Sequence, residues 1–353
     1  MSSNNKLLVV LGITGQQGGS VAKVFSDLEP TWRIRGITRN PSSPASQSLL
    51  KENPSIELVS GNLDDQASLE AAFKDADAIF SVTDFWSQFK SSGTYSFESD
   101  GDTPINIQAY NSELKQGKNI IDAAALAHAK KPLHRFILST LSDTKKFSNG
   151  TITENYHFDS KAQYTNYLNT HHPDLASVSS YLQIGWYLSN IWAWPIWTPH
   201  KKYPSDPSSN VYIYPTTHVS SKTSHPIPFV HPPNDTGHFV HALLLKSPPG
   251  TNMLGYSWLA SQEDFAKLWG KVLGVEIEIE SMSLEKIVKS GMPEWLAREV
   301  LASGEYCDTF GWDGGEEGVK SPEEAGVEVS RLQSVEEWIR GEDWSSIGIG
   351  KKD

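Results

Sequence analysis

A histidine and a lysine lie four residues apart in the segment 156–161, and both side chains can exchange protons. The surrounding pattern predicts a helix near 154–171, so His157 and Lys161 share one helical face. An ammonium group can hydrogen-bond a ribose hydroxyl, and an imidazole can donate or accept a proton near neutral pH. We therefore predict that Lys161 and His157 are catalytic. The alternative is a solvated pair on the surface.

A hydroxyl group is the third candidate for catalysis. Ser139 and Thr140 end the predicted strand 134–140, where a hydroxyl could polarise a substrate carbonyl. We select Ser139 as the catalytic candidate. The alternative is that both residues simply terminate the strand.

Glycines interrupt an apolar run near the start of the chain. The pattern predicts a buried strand over 6–12, a tight turn, and a helix over 17–28. This order places backbone N–H groups at a helix N-terminus, where they can hold a pyrophosphate. The predicted cofactor-binding residues of this turn are Gly12, Thr14, Gly15, Gln16, Gln17 and Gly18.

The residue after the second predicted strand, 32–38, indicates which nicotinamide cofactor binds. Arg39 stands there and no carboxylate does, which favours the 2′-phosphate of NADP(H). A solvated surface arginine is the alternative.

Two further strand ends complete the predicted cofactor site. Asn62 and Leu63 follow the third strand, where adenine contacts arise; the alternative is a turn with a helix cap at Asp64. Thr83 and Asp84 follow the fourth strand and are expected beside the ribose and nicotinamide, together with Lys161.

Alternating strands and helices predict an α/β fold, a Rossmann-type doubly wound parallel sheet with a smaller α+β lobe interwoven in sequence. The predicted NADP-binding domain covers 1–185 and parts of 226–274, and the smaller lobe covers 186–225 and 275–353. Within the second half we predict a helix capped by Asn234 or Asp235 and another capped by Ser261.

The amino-acid composition argues against several classes of protein. The 353 residues carry a formal net charge of -12 and one cysteine, Cys307. The negative charge disfavours direct nucleic-acid binding, and a single cysteine fits a reducing compartment. No apolar run is long enough for a membrane span or a signal segment, so we expect a cytoplasmic protein. His231, His238 and His241 lack a complementary ligand spacing and are expected to be structural, with no metal bound.

Tryptophan is abundant, with twelve residues in the chain. Several cluster in 186–197, and a loop over 84–104 could join them to form a large hydrophobic pocket. The predicted substrate contacts are Trp86, Trp186 and Tyr187. For most of the tryptophans, however, we favour packing inside an aromatic lobe.

These motifs together resemble the NmrA-like family of atypical short-chain dehydrogenases, and two of them, TRNP (38–41) and HFDSK (157–161), resemble its redox-sensor-like branch. Lys161 falls where the related isoflavone-reductase-like enzymes carry a catalytic lysine, whereas His157 replaces the tyrosine of the usual dehydrogenase pair. The stretches that carry the resemblance are GITGQQGGSV (12–21), TRNP (38–41), GNLDD (61–65), VTDFW (82–86), QGKN (116–119) and HFDSK (157–161).

The resemblance implies two functions. One branch of the family resembles NADPH-dependent reductases, which implies reduction of a carbonyl, imine or conjugated bond in an aromatic-containing small molecule, with secondary metabolism as a setting. Another resembles NADP(H)-binding redox sensors that bind a regulatory protein partner such as a transcription factor. We favour the reductase because a sensor needs no large pocket. A homodimer is one option for its assembly.

Overall fold

A seven-stranded parallel sheet forms the centre of the protein. The computed structural model describes residues 5–91, 94–95, 103–206, 208–217 and 224–350. The order of the main sheet is β13-β8-β7-β4-β1-β2-β3, and every neighbouring pair is parallel. The strands are β1 (Lys6–Leu11), β2 (Trp32–Thr38), β3 (Glu57–Ser60), β4 (Ala78–Ser81), β5 (Lys90–Ser91), β6 (Thr94–Tyr95), β7 (Arg135–Thr140), β8 (Ser179–Ile184), β9 (Trp186–Tyr187), β10 (His200–Lys201), β11 (Val211–Thr216), β12 (Ile227–Val230), β13 (Asn252–Gly255), β14 (Trp258–Ala260) and β15 (Glu276–Ser281).

Helices cover both faces of this sheet, so the predicted Rossmann-type doubly wound fold is confirmed. Leu8 and Val10 of β1 pack in a core with α1 and α8. Their neighbours Leu7 and Val9 pack on the opposite face with α3, α4 and α6. The helices are α1 (Gln16–Leu28), α2 (Pro44–Glu52), α3 (Gln66–Ala72), α4 (Ile105–Lys130), α5 (Thr144–Phe147), α6 (Tyr156–His171), α7 (Pro173–Ala176), α8 (Pro232–Leu245), α9 (Gln262–Leu273), α10 (Leu284–Lys289), α11 (Glu294–Phe310) and α12 (Val335–Gly341).

The smaller lobe contains two three-stranded sheets, β10-β11-β15 and β14-β12-β9. It follows β8 in the chain, but the polypeptide then returns to the main sheet through α8 and β13 before α9–α12 complete the lobe. Segment 226–274 therefore contributes to both units. The domain boundaries given above remain a prediction.

Local structure differs from the sequence-based expectation at α7, at the start of α8 and at α2, among other places. The sequence pattern of residues 175–182 predicts a sixth strand, but the strand found there, β8, begins later, because Pro173 starts the short helix α7 before it. Neither Asn234 nor Asp235 caps α8. Its N-cap is His231, whose backbone N–H donates to the Asp235 carboxylate at 2.8 Å. Helix α2 has no counterpart among the expected elements, although Ser43 caps it by accepting from the Ser46 N–H at 3.2 Å.

The loop expected over 84–104 is only partly described. Residues Phe85–Phe89 form a short 3-10 helix, and β5 and β6 pair as an antiparallel hairpin. Residues 92–93 and 96–102 lie outside the described part of the chain. Across the ranges that the structure describes, no helix is long and apolar enough to cross a membrane.

Candidate functional site

A buried carboxylate, Glu113 of α4, holds two of the predicted site residues together. Thr83, just beyond β4, donates its hydroxyl to Glu113 Oε1 at 2.6 Å. Lys161 Nζ donates to the same oxygen, and Ser160 Oγ donates to Oε2. Glu113 is only 2% exposed, so these three donors replace the water that a carboxylate otherwise requires. Lys161 is thus ion-paired inside the protein rather than solvated.

Tyr164 extends this network to the end of β7. Its hydroxyl lies 3.1 Å from Thr83 Oγ1 and donates to the Ser139 carbonyl oxygen at 3.2 Å. Burial, together with the nearby charge of Glu113, raises the pKa of Tyr164 well above its ordinary value. This phenol was not predicted from the sequence, because it lies three residues after Lys161 and not four before it.

His157 binds a second buried carboxylate. Its Nδ1 lies 3.0 Å from Glu299 Oε1, and its backbone N–H donates to the same oxygen at 3.2 Å. Glu299 belongs to α11 and is fully buried. His157 and Lys161 therefore lie on one helix, as expected, but they contact separate carboxylates.

Neither carboxylate was identified from the sequence. Glu113 had a weak signal, a charged residue within the long helix that faces the sheet. Glu299 had none, because 142 positions separate it from His157 and only the tertiary fold brings α11 to α6.

Ser139 and Gln17 connect residues that were predicted to have different roles. The Ser139 hydroxyl donates to Gln17 Oε1 at 2.9 Å, and Gln17 Nε2 donates to the Tyr187 hydroxyl at 2.7 Å. This chain joins the candidate carbonyl-polarising group, the glycine turn and a candidate substrate contact. Burial raises the pKa of Tyr187, which keeps this phenol protonated.

The glycine turn has the backbone form that an anion-binding cradle requires. Gly12 adopts φ +64°, and the Gly15 N–H donates to the Gly12 carbonyl at 2.8 Å. Helix α1 begins directly afterwards, with Gly15 as an N-cap that offers no capping side chain. Thr14 and Gln16 are exposed beside the N-terminal N–H groups. The turn therefore fits a pyrophosphate.

Gly18 is needed for a different reason. It is buried, and a Cβ there would lie 2.3 Å from the Gly12 carbonyl oxygen. The absent side chain thus allows α1 to approach the end of β1. This close packing of α1 on the end of β1 stabilises the conformation of the glycine turn.

The other predicted cofactor contacts occupy the ends of β2, β3 and β4. Arg39 is exposed and makes no hydrogen bond or ion pair with any residue that the structure describes. The Leu63 carbonyl accepts from Asn119 at 2.8 Å, and Asn62 Oδ1 accepts from the Asp64 N–H at 3.1 Å. The alternative of a cap at Asp64 is wrong, because Asp65 caps α3.

Asp84 begins the 3-10 helix that carries Trp86. Its Oδ1 accepts from the Trp86 N–H at 3.1 Å, so the carboxylate fixes the backbone at the start of this helix. The ring of Trp86 lies 5.1 Å from that of His157 and 6.5 Å from that of Trp194, measured between centroids. An aromatic cluster therefore flanks His157.

The tryptophans of 186–197 divide between two cores. Trp194 packs in the cluster beside Trp86. Trp186 instead packs against Phe229, with centroids 5.6 Å apart, in the core of the smaller lobe. Trp192 contacts Trp344 there at 4.9 Å. Within the described ranges, Trp186 makes no ring contact with Trp86 or His157.

Of the three histidines expected to be structural, His241 binds Glu29, with Nε2 2.9 Å from Oε1. Burial lowers the pKa of both His231 and His238. Among the residues that the structure describes, no group of three or more His, Cys, Asp or Glu side chains could hold a metal ion.

Curated relatives share parts of this sequence. The NmrA-like family domain-containing oxidoreductase hkm9 of Aspergillus hancockii is 30% identical over 152 residues, 43% of this chain and 38% of hkm9. The corresponding oxidoreductase FrzB of Cladobotryum sp is 26% identical over 298 residues, 82% of this chain and 80% of FrzB.

Solved structures share the fold across nearly the whole chain. NmrA, described as a negative transcriptional regulator and solved in complex with NADP, has a TM-score of 0.66 and 16% identity, covering 96% of this chain and 95% of its own. NmrA has also been solved with NAD. Citrobacter sp. triphenylmethane reductase complexed with NADP(H) has a TM-score of 0.61 and 15% identity, covering 95% of this chain and 99% of its own.

One family model matches nearly the whole chain. The model of the NmrA-like family matches residues 4–339, which include the glycine turn, the helix with His157 and Lys161, and most of the smaller lobe. This chain belongs to the NmrA-like family.

Proposed function

We propose that this protein is an NADPH-dependent reductase of an aromatic-containing small molecule, acting on a carbonyl, imine or conjugated bond. One observation carries the proposal. His157 and Lys161, two side chains able to exchange protons, lie on one face of α6, and an aromatic cluster flanks His157. Such a combination of apolar surface and a few polar groups is typical of small-molecule sites.

The residues that would hold the cofactor are the glycine turn, Arg39 and the residues at the ends of β3 and β4. A bound reduced nicotinamide supplies a hydride. The 2′-phosphate of NADP(H) would meet the exposed guanidinium of Arg39, which has no competing partner among the described residues. NADP(H) is therefore the preferred form in this proposal, although relatives of this fold have been solved with NAD as well.

In this proposal His157 exchanges a proton with the substrate, and Lys161 supports the ribose and the proton step. Trp86 lies beside the imidazole and would contact an aromatic ring of the substrate. The names of the curated relatives support an oxidoreductase, and triphenylmethane reductase is a neighbour in fold whose name includes an aromatic substrate.

A redox sensor is the second candidate, favoured by a specific observation. Lys161 is bound to Glu113, the Ser139 hydroxyl to Gln17 and His157 Nδ1 to Glu299, so all three candidate catalytic groups have internal partners. NmrA itself is described as a transcriptional regulator. In this candidate function, NADP(H) binding would change the affinity for a regulatory protein.

Turnover distinguishes the two candidates. The purified chain is incubated with NADPH and a panel of aromatic aldehydes, ketones, cyclic imines and conjugated enones, and NADPH oxidation is followed at 340 nm. The reductase predicts oxidation that depends on one substrate class and falls at least about 100-fold in His157→Phe. No oxidation with the panel, together with NADPH-dependent capture of one protein, would favour the sensor.

A further inference from the structure

Glu299 is a buried carboxylate with three hydrogen-bond contacts to the main domain. The His157 backbone N–H reaches Oε1 at 3.2 Å, and His157 Nδ1 lies 3.0 Å from the same oxygen. Asn106 Nδ2 donates to Oε2 at 3.1 Å. Glu299 is 0% exposed and comes from α11 of the smaller lobe. It therefore crosses from one unit to the other to reach α4 and α6.

This arrangement determines which nitrogen of His157 carries a proton. An ionised carboxylate only accepts hydrogen bonds, so Nδ1 must donate. In a neutral imidazole, Nδ1–H leaves Nε2 with the lone pair. No residue that the structure describes is hydrogen-bonded to Nε2. The ring is flanked by Trp86 and Phe85, with centroids 5.1 and 5.8 Å away, and its side chain is 15% exposed.

We infer that Glu299 is a positioning residue that holds His157 as the Nδ1–H tautomer and so presents Nε2 for proton exchange with the substrate. The inference rests on the proposed reductase function. In the cationic ring, Nε2–H gives its proton to the substrate oxygen or nitrogen that gains an electron pair when hydride adds to the carbonyl or imine carbon, or to the far carbon of a conjugated bond. The neutral ring, still protonated at Nδ1, then takes a proton from water.

Glu113, the other buried carboxylate, does not share this role. Glu113 binds Lys161, Ser160 and Thr83, and among the described residues no hydrogen bond joins it to His157 or Asn106. A change at Glu299 therefore alters the partner of His157 while leaving the partner of Lys161 in place. This separation permits the two candidate catalytic side chains to be tested independently.

Nuclear magnetic resonance tests the tautomer directly. The full chain is labelled with ¹⁵N-histidine, and His157→Phe identifies the His157 signals. In the wild type we expect the neutral ring to show a protonated Nδ1 and an unprotonated Nε2. In Glu299→Gln the amide can donate as well as accept, so the Nε2–H tautomer should gain population. Glu29→Gln, which alters the carboxylate partner of His241, is the matched control and should leave the His157 signals unchanged.

Enzyme kinetics tests whether Glu299 contributes to proton transfer by His157. With a substrate found in the panel above, Glu299→Gln should lower kcat at least about tenfold and change KM less than about twofold, because proton transfer rather than binding is affected. Thermal unfolding verifies that the variant is folded, and Glu29→Gln should retain the wild-type kcat.

Three results would overturn the inference. They are a wild-type His157 with its neutral proton on Nε2, a tautomer that Glu299→Gln does not change, and a changed tautomer with unchanged kcat. The labelling experiment needs neither NADPH nor substrate. If the protein reduces no substrate in the panel, the proposed reductase function and the proton-transfer role of His157 are both refuted. The tautomer measurement separately confirms or refutes that Glu299 determines which nitrogen of His157 is protonated.

Discussion

At the scale of the residue, the ion pair between Lys161 and Glu113 combines a stability requirement with a candidate catalytic role. Both side chains are nearly buried, with exposed fractions of 11% and 1%. Removing one partner of such a pair leaves an uncompensated charge away from water, which costs about 3–5 kcal/mol. A Lys161 variant could therefore lose activity through lower stability of the fold as well as through loss of a catalytic group.

We expect Lys161→Met alone to lower the free energy of unfolding by about 3–5 kcal/mol, because Glu113 then lacks its cation. Adding Glu113→Gln to the same chain should restore part of that loss, since the amide carries no charge. Urea denaturation of the wild type, both single variants and the double variant measures the coupling. Equal and additive losses would show that the pair is not coupled.

Arg39 is the residue on which cofactor choice depends. We expect the wild type to bind NADP(H) more tightly than NAD(H), and Arg39→Ala to lose about 1.5–3 kcal/mol of affinity for NADP(H) alone, the value of a charge-assisted contact. Calorimetric titration of both cofactors gives the comparison. Arg33→Ala is the matched control, because Arg33 is also exposed but lies in the first half of β2, away from the carboxyl end. A wild type without preference would contradict the assignment.

At the scale of the element, the contact between α1 and β1 depends on one of two adjacent glycines. A Cβ on Gly18 would lie 2.3 Å from the Gly12 carbonyl oxygen, whereas one on Gly19 would lie 3.5 Å from the Ile13 carbonyl oxygen. The first distance requires the backbone to move, and the second is an ordinary contact. Both positions belong to the first turns of α1, and Gly18 is the more buried of the two.

Gly18→Ala should therefore destabilise the protein by more than about 2 kcal/mol in the absence of cofactor, because α1 can no longer pack against the end of β1. Gly19→Ala should be neutral or stabilising by about 0.5–1 kcal/mol, because alanine favours a helix. Thermal and urea unfolding measure both. Similar stability of the two variants would mean that the helix does not need this close approach.

Helices and strands with a clear pattern of apolar residues were predictable from the sequence. Contacts between elements distant in the sequence were not. The buried run of β1 and the amphipathic pattern of α9, capped by Ser261, lie where the sequence placed them. Helix α7, which begins at Pro173, was not predicted, because the apolar residues after Pro173 also fit a strand. His157 and Lys161 were correctly placed on one helix. Their partners, Glu113 and Glu299, come from α4 and α11, and no local pattern connects those helices to α6.

At the scale of the whole molecule, buried polar contacts join the two lobes. The Ser142 hydroxyl donates to the Trp312 carbonyl at 2.7 Å, and the Trp312 indole N–H donates to the Ile184 carbonyl at 3.0 Å. The chain also passes from the main sheet to the smaller lobe and back before it ends. These connections favour unfolding as a single cooperative unit, although each lobe has its own core.

Cys307 makes that cooperativity measurable. It is the chain's one cysteine and lies on α11 at 1% exposure, where burial raises the pKa of the thiol and so suppresses its reactive thiolate. We expect a thiol reagent to label Cys307 only at urea concentrations where circular dichroism also reports loss of the main sheet. NADP(H), bound by the main domain in our proposal, should shift both transitions to higher urea by the same amount, because a ligand of the native state stabilises the whole cooperative unit. Labelling that precedes the loss of the sheet, or that NADP(H) does not delay, would show that the smaller lobe opens by itself.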